Sequence, residues 1–191
     1  MDRVDLSKFL IHWISGESFE EAFDILYEII SSEYIHGNSN NIKGGFCCIC
    51  FTETPPQLFN FLGRKYKPFG IMYKKEYIYL LGGRPVIYQS DQEYWELSEQ
   101  NRWRHVRFEL DSDSFIDFTW EREWRLQQNA LLLEPNEIDV VVPDEEWADA
   151  LINRFENDEN YRYQMECMGY GENNAIWPQN FPFNIKLLND L

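Results

Sequence analysis

The residues best suited to chemistry lie together in segment 117–125, which reads DFTWEREWR. If this segment is an extended strand, side chains alternate between its faces, so Glu121, Glu123 and Arg125 share one side. Trp120 and Trp124 then pack inward on the other side, and we expect the two glutamates to face a cleft. Two carboxylates this close repel each other unless one is protonated, binds a substrate hydroxyl or pairs with Arg125. The segment therefore indicates either a catalytic site or a structural strand of ion pairs between packing tryptophans.

The chain has 191 residues, a length typical of one domain, and we expect residues 1–191 to form a single α+β domain. No apolar run reaches the roughly 18 residues that a membrane span needs, and the N-terminus lacks the pattern of a signal peptide. Three of the four cysteines (Cys47, Cys48 and Cys50) crowd into one apolar segment, which favours reduced thiols. These features predict a cytoplasmic protein that does not enter a membrane.

The net charge of −16 is unevenly distributed along the chain. Residues 64–125 balance eleven basic against eleven acidic side chains, whereas residues 134–191 hold three basic and thirteen acidic ones. This charge opposes non-specific binding to nucleic acid, although a local basic groove around Arg102, Arg104 and Arg125 remains open. The acidic C-terminal part favours solubility or recognition of a basic partner.

Short segments rich in β-branched and aromatic residues, broken by glycine and proline, predict a central twisted sheet, mixed or antiparallel, flanked by helices. A capping-box pattern at Ser18 and Glu21, followed by apolar residues at helical spacing, predicts a helix to about Ser32. Further helices are predicted over 91–103 and from 144 to about 155. The core should span about 8–155, with residues 156–191 mostly irregular. The predicted strands are 9–14, 46–51, 69–73, 85–88, 115–126 and 138–142.

Five motifs, in this order, resemble a bacterial family of largely uncharacterised abortive-infection (phage-resistance) proteins of the AbiGi-like type. They are FTETP at 51–55, FGIMY at 69–73, RPVIYQ at 84–89, RWRHVR at 102–107 and the segment 117–125. The resemblance covers residues 8–150 approximately. It implies a role in phage defence.

The chain also resembles, more distantly, ADP-ribosyltransferases of the His–Tyr–Glu kind, in which these three residues follow in this order on separate strands. The resemblance implies that His12, with Ser15 after it, holds a ribose of NAD and that Tyr73 stacks on nicotinamide. Glu123 would then stabilise the ribose cation, with Glu121 beside it as in the paired glutamates of some transferases. Arg102, Arg104 or Arg125 would hold the pyrophosphate.

Each of these residues also has a structural interpretation. His12 could be a core histidine bonded to backbone, Tyr73 a packing residue, and Glu123 the ion-pair partner of Arg125 or Arg107. The arginines at 102–107 could pair with the abundant acids. The spacing of Cys47, Cys48 and Cys50 does not match a zinc site, so we expect no metal.

Two functions therefore remain open. One is an NAD-dependent transferase that acts in phage defence or as a toxin. It would bind a nucleotide-type small molecule, and its acceptor could be a protein, a nucleic acid or a small molecule. The other is a non-enzymatic binding or immunity protein whose acidic surface recognises a basic partner. The sequence leaves the oligomeric state undetermined.

Overall fold

A seven-stranded mixed sheet organises the chain and confirms the α+β fold class. The computed structural model describes residues 7–61, 66–111, 114–170 and 177–191. The sheet order is β13-β12-β4-β1-β3-β10-β5, and all neighbours are antiparallel except β12 and β13, which are parallel. Its strands are β1 (Phe9–Ser15), β3 (Ile49–Thr52), β4 (Tyr66–Lys74), β5 (Arg84–Pro85), β10 (Glu123–Leu126), β12 (Ile138–Val142) and β13 (Asn184–Leu187).

Three two-stranded sheets accompany the large one. They pair β2 (Tyr34–His36) with β11 (Ala130–Leu132), β6 (Ile87–Gln89) with β7 (His105–Arg107), and β8 (Glu109–Asp111) with β9 (Ser114–Ile116). The α-helices in the described ranges are α1 (Phe19–Ser32), α2 (Lys75–Leu80) and α3 (Glu145–Cys167).

The main core lies between the sheet and the helices, because alternate strand residues point to that side. In β1 these residues are Leu10 and Ile14, whereas Ile11 and Trp13 pack in a smaller cluster that includes Met72 and Val141. The central strands are therefore buried on both faces, which explains their nearly continuous apolar sequences. Burial on two faces also explains why apolar runs, rather than clean alternation, marked these strands in the sequence.

The helix predicted after Ser18 is confirmed as α1. The Ser18 side chain accepts a hydrogen bond from the Glu21 backbone N–H at 3.1 Å, which satisfies one of the free donors of the first turn. The Glu21 carboxylate accepts from the backbone N–H of Glu17 at 2.6 Å, one residue earlier than in a capping box. The helix ends at Ser32, and the residue after it, Glu33, adopts a left-handed conformation with φ of 61°.

The predicted strand over 115–126 is wrong in its middle. Asp117 accepts hydrogen bonds from the backbone N–H and the hydroxyl of Thr119, at 2.8 and 2.6 Å, and so begins a turn. A 3₁₀ turn follows at Thr119–Glu121, and Arg122 is left-handed with φ of 46°. Strand β10 starts only at Glu123. As a result Trp120 is 38% exposed, contrary to the expectation that it packs inward, while Trp124 is buried as expected.

Other boundaries also move. The strand predicted at 46–51 is β3, which begins at Ile49 and ends at Thr52, and the one predicted at 85–88 divides into β5 and β6. The helix predicted over 91–103 is two 3₁₀ segments, Glu93–Glu96 and Glu99–Arg104.

The expectation of a mostly irregular tail over 156–191 is wrong in the described part of that range. Helix α3 continues past the predicted end to Cys167, because polar contacts attach it to α1: Tyr27 donates to Asp158, and Arg154 pairs with Asp24, each at 2.5 Å. Strand β13 then adds a parallel edge to the sheet beside β12. Residues 171–176 lie outside the described ranges.

The structural importance of the C-terminal strand can be tested at Phe183, which is buried in the main core and contacts Phe181 at a ring distance of 5.7 Å. We expect Phe183→Ala to lower the free energy of unfolding by about 3 kcal/mol, because the substitution leaves a cavity. Tyr170→Ala, at a side chain that is 78% exposed, is the control and should change little. Urea denaturation measures both, and equal stabilities would contradict the position of β13.

Candidate active site between two diverging strands

A cleft of about 240 Å³ opens beside the contact between β1 and β3. These strands share one paired position, Ile11 with Thr52, and Thr52 in turn pairs with Glu123 of β10. The cleft is bounded by α1 on one side and by the 119–121 turn on the other. Its lining residues are Ile11, His12, Trp13, Ile14, Ser15, Ile25, Ile29, Asn38, Cys50, Phe51, Thr52, Tyr66, Glu121 and Glu123.

His12 is half-buried in this cleft, with Nδ1 at 2.8 Å from the backbone carbonyl of Cys50. Because a carbonyl oxygen can only accept, Nδ1 carries the hydrogen. Burial lowers the pKa of His12, and the bond to Cys50 opposes that shift in part, so the neutral ring is favoured. In the neutral ring Nε2 presents a lone pair, and it has no hydrogen-bond partner among the described residues. His12 can thus accept a hydrogen bond from a ligand hydroxyl.

Glu123 is held by a buried arginine. Its carboxylate accepts from Arg125 Nε at 2.7 Å, and Arg125 is only 4% exposed. Arg125 also donates from Nη1 to the carbonyls of Trp103 and His105, at 2.9 Å each. The backbone N–H of Glu123 donates to the Tyr88 hydroxyl at 3.1 Å. These contacts fix the position of the carboxylate, and the Cys50 thiol is a further hydrogen-bonding neighbour of it.

Glu121 enters the same cleft from the 3₁₀ turn and is 4% exposed. The Tyr66 hydroxyl donates to its Oε2 at 3.1 Å. Burial raises the pKa of Tyr66, and the negative charge of Glu121 adds to the effect. The turn itself is attached to the end of β3, because the Thr54 hydroxyl donates to the Trp120 carbonyl at 2.6 Å. Both glutamates therefore face a cleft as expected, although the left-handed Arg122, rather than strand alternation, brings them there.

The structure brings together four of the predicted site residues: His12, Ser15, Glu121 and Glu123 all line the cleft. Tyr73 does not line it. That residue is fully buried in the main core, with its ring 5.8 Å from Phe51 and stacked 6.1 Å from Tyr77. Its position on β4, one of the sheet's central strands, leaves no surface for stacking on a ligand.

The three arginines expected to hold a pyrophosphate also lie elsewhere. Arg125 is buried behind Glu123. Arg102 lies over the rings of Tyr94 and Trp95, at 5.6 and 5.4 Å from their centres. Arg104 donates from Nε to the Pro85 carbonyl at 2.9 Å. Among the described residues, those that line the cleft include no lysine or arginine, and Arg64 and Lys65 lie outside the described ranges.

Sequence reasoning missed Tyr66 as a cleft residue. The strand around 69–73 begins three residues earlier than predicted, and Pro68 within it hid that extension, since proline is unusual inside a strand. The signal was the alternation of side chains along β4. Tyr66 and Met72 are an even number of positions apart, so their side chains lie on the same face of the strand.

Cys50 also lies in the cleft, and its pKa is raised chiefly by burial and then by the charge of Glu123. Burial raises the pKa of Cys48 to about 11. Neither thiol is activated as a nucleophile. Within the described ranges, no group of three or more histidine, cysteine or acidic residues could hold a metal ion, and no helix is long and apolar enough to cross a membrane.

Comparisons with known proteins give no match. No family model, no curated protein and no solved structure is significantly similar to the chain.

The protonation of His12 can be tested by pH. Its folded pKa lies below the unfolded value of about 6.5, so as pH falls below that value the unfolded chain takes up a proton that the folded protein resists. Stability should therefore decrease more steeply from pH 7.5 to 5.5 in the wild type than in His12→Gln. Urea titrations at the two pH values measure this difference, and two-bond ¹H–¹⁵N NMR spectra should show the hydrogen on Nδ1. Parallel pH profiles would contradict the assignment.

The position of Tyr73 gives a second prediction. Its buried hydroxyl has no hydrogen-bond partner among the described residues. We expect Tyr73→Phe to leave stability unchanged or to raise it by about 1 kcal/mol, because an unpaired buried polar group is costly. Thermal unfolding measures the change. A clear destabilisation would show that the Tyr73 hydroxyl makes a hydrogen bond in the folded protein.

Proposed function

We propose that the protein is an NAD-consuming transferase that breaks the bond between nicotinamide and ribose in this cleft. The observation that supports the proposal is that His12, Ser15 and Glu123 line one cavity. Strands β1 and β10 are separated by β3 alone, so their backbones are about 10 Å apart. Through the Ile11–Thr52–Glu123 register, Glu123 lies on the Ile11 face of the sheet and His12 on the opposite face. A ribose would therefore contact both side chains only in the gap that opens where β1 and β3 separate.

The roles follow from the contacts. His12 Nε2 accepts a hydrogen bond from a ribose hydroxyl and so orients the sugar. As the C1′–N bond breaks, its electron pair leaves with the nicotinamide nitrogen and C1′ becomes positively charged. The Glu123 carboxylate stabilises this oxocarbenium charge. The acceptor then attacks C1′ and releases a proton, for which Glu121 is a candidate base in the cleft.

The size and charge of the cleft limit what enters it. At about 240 Å³ it is smaller than the roughly 300–1,000 Å³ of pockets that enclose a whole drug-sized ligand. The nicotinamide–ribose half of NAD would occupy it, with the phosphates outside. Since Tyr73 is in the core, the aromatic side chain available for contact with nicotinamide is Tyr66.

As the biological setting we propose phage defence, or action as a toxin in the cytoplasm; the motif resemblance to abortive-infection proteins supports this part of the proposal. The acceptor could be a protein, a nucleic acid or a small molecule.

The alternative is a binding or immunity protein without activity. The observation that favours it is the excess of acids on α3, which has seven acidic and two basic residues. Two of those acids are already used internally: Asp158 accepts from Tyr27, and Glu159 accepts from Arg162 and from the backbone of Gln179. The remaining acids of α3 would recognise a basic partner.

The proposal is tested with Glu123→Gln, which keeps the shape of the side chain but removes its charge. We expect nicotinamide release to fall about a hundredfold, while NAD binding changes much less, because the positive charge on ribose develops in the transition state. Nicotinamide release is measured by chromatography and binding by calorimetry.

A matched control is needed because Glu123→Gln also leaves the buried Arg125 without its counter-charge, which lowers stability. Glu53→Gln breaks a more exposed ion pair, with Lys75 at 2.6 Å, and removes the charge that accepts from the Trp124 indole N–H, but Glu53 does not line the cleft. Glu53→Gln should therefore lose stability but keep turnover. Equal turnover in wild type and Glu123→Gln would remove Glu123 from the mechanism. A wild type that releases no nicotinamide with any acceptor would favour the binding protein.

A further inference from the structure

Two arginines near the edge strand β5 have no acidic partner in the part of the chain that the structure describes. Among the described residues, no carboxylate lies within 4.0 Å of the guanidinium group of Arg84 or Arg104, although the chain has 33 acidic residues for 17 basic ones. In so acidic a protein, an arginine on the surface is expected to attract a carboxylate. The absence of one beside both arginines leaves a local positive charge that the fold does not neutralise.

The two guanidinium groups are brought together by the backbone of β5. Arg84 donates from Nη1 to the carbonyls of Tyr79 and Gly83, at 2.9 and 2.7 Å. Arg104 donates from Nε to the carbonyl of Pro85, the residue next to Arg84, at 2.9 Å. The charge of Arg84, together with burial, lowers the pKa of Arg104, which is the effect expected of neighbouring like charges.

Both side chains are thus fixed but keep unused donors. The Nη2 group of each arginine has no hydrogen-bond partner in the described part of the chain, and neither group is fully buried. Carbonyl contacts already restrict the rotamers, so little conformational entropy remains to be lost when an anion binds. Paired guanidinium forks of this kind match the oxygens of a phosphate group.

An apolar cavity of about 450 Å³ adjoins the pair. Its walls include Tyr79, Leu80 and Trp124. Arg84 lies over the Tyr79 ring at 4.0 Å, and Trp124 pairs across the sheet with Pro85, whose carbonyl Arg104 contacts. Arg84 therefore lies at the border of the cavity, whereas Arg104, bonded to the carbonyl of the next residue, adjoins Arg84 but does not itself line the cavity. Lys75 and the exposed Glu76 form its remaining lining, and Lys75 is already paired with Glu53.

We propose that Arg84 and Arg104 bind the phosphate of a phosphate monoester whose aromatic body fills the cavity beside Tyr79 and Trp124, as in a nucleoside monophosphate. This site is separate from the cleft that holds His12 and Glu123, and it does not depend on the transferase activity. It also gives Arg104 a role different from that expected from the sequence, which was to hold a pyrophosphate in the cleft.

Calorimetric titration with adenosine monophosphate, inorganic phosphate and adenosine at constant ionic strength tests the proposal. We expect saturable binding of the monophosphate, weaker binding of inorganic phosphate and weakest binding of adenosine. Arg84→Gln and Arg104→Gln should each weaken monophosphate binding about tenfold or more, because each removes charge-assisted hydrogen bonds. Arg84→Lys and Arg104→Lys keep the charge and should weaken binding less, which separates recognition from loss of folding.

Arg154→Gln is the matched control, because Arg154 is half-buried like Arg84 and Arg104 but already pairs with Asp24. It should bind the monophosphate as the wild type does. An equal loss in this variant would show general electrostatic attraction and overturn the site. Adenosine binding as tight as the monophosphate, or no saturable binding of either phosphate compound, would overturn it as well.

Discussion

The buried guanidinium of Arg125 is the constraint on which the arrangement of the cleft depends. A charge that is 4% exposed must be compensated, and here one carboxylate and two backbone carbonyls provide that compensation. Because the carbonyls belong to Trp103 and His105, Arg125 ties the 3₁₀ segment before β7 to the sheet. Because the carboxylate belongs to Glu123, the same interaction fixes the acid beside the cleft. The Glu123–Arg125 ion pair therefore supports the fold and also positions the candidate catalytic acid. For that reason the sequence pattern was compatible with both a structural and a catalytic interpretation.

The sequence identified the acidic pair but not the geometry that presents it. Glu123 and Arg125 do share a face of β10, as alternation requires. Glu121 reaches the cleft only because Arg122 takes a left-handed conformation, which non-glycine residues adopt rarely and which no propensity predicts. The local signal was the Asp117–Thr119 spacing, since aspartate commonly caps a turn two residues on. The alternating sequence of this segment predicted a strand, but the turn-forming residues at its start determine the structure at Thr119–Glu121.

The strands of the centre were predictable because each combines apolar composition with flanking glycine or proline. Tyr73 shows the limit of that approach: composition placed it on a strand, but only the neighbours of β4 decide whether its ring faces a ligand or the core. The tail was harder still. Helix α3 beyond residue 155 has no strong apolar face, and its continuation depends on contacts with α1 that are distant in sequence, such as Tyr27 with Asp158. Tertiary contacts of this kind override local propensity.

The charge of the cleft restricts how a dinucleotide could bind. Two carboxylates and, within the described ranges, no lysine or arginine line it. In the proposed function these residues would therefore repel the phosphates of NAD and attract the positively charged nicotinamide ring. Attraction in the ground state alone does not accelerate a reaction. When the bond breaks, however, the positive charge moves from the nicotinamide ring to the ribose. A carboxylate in contact with the ribose is then attracted to it more strongly, whereas a carboxylate near the nicotinamide ring is attracted to that ring less strongly. The proposed mechanism therefore requires the two glutamates to differ in position, and their supports do differ: Glu123 is fixed in a strand by Arg125, and Glu121 is held in a turn by Tyr66.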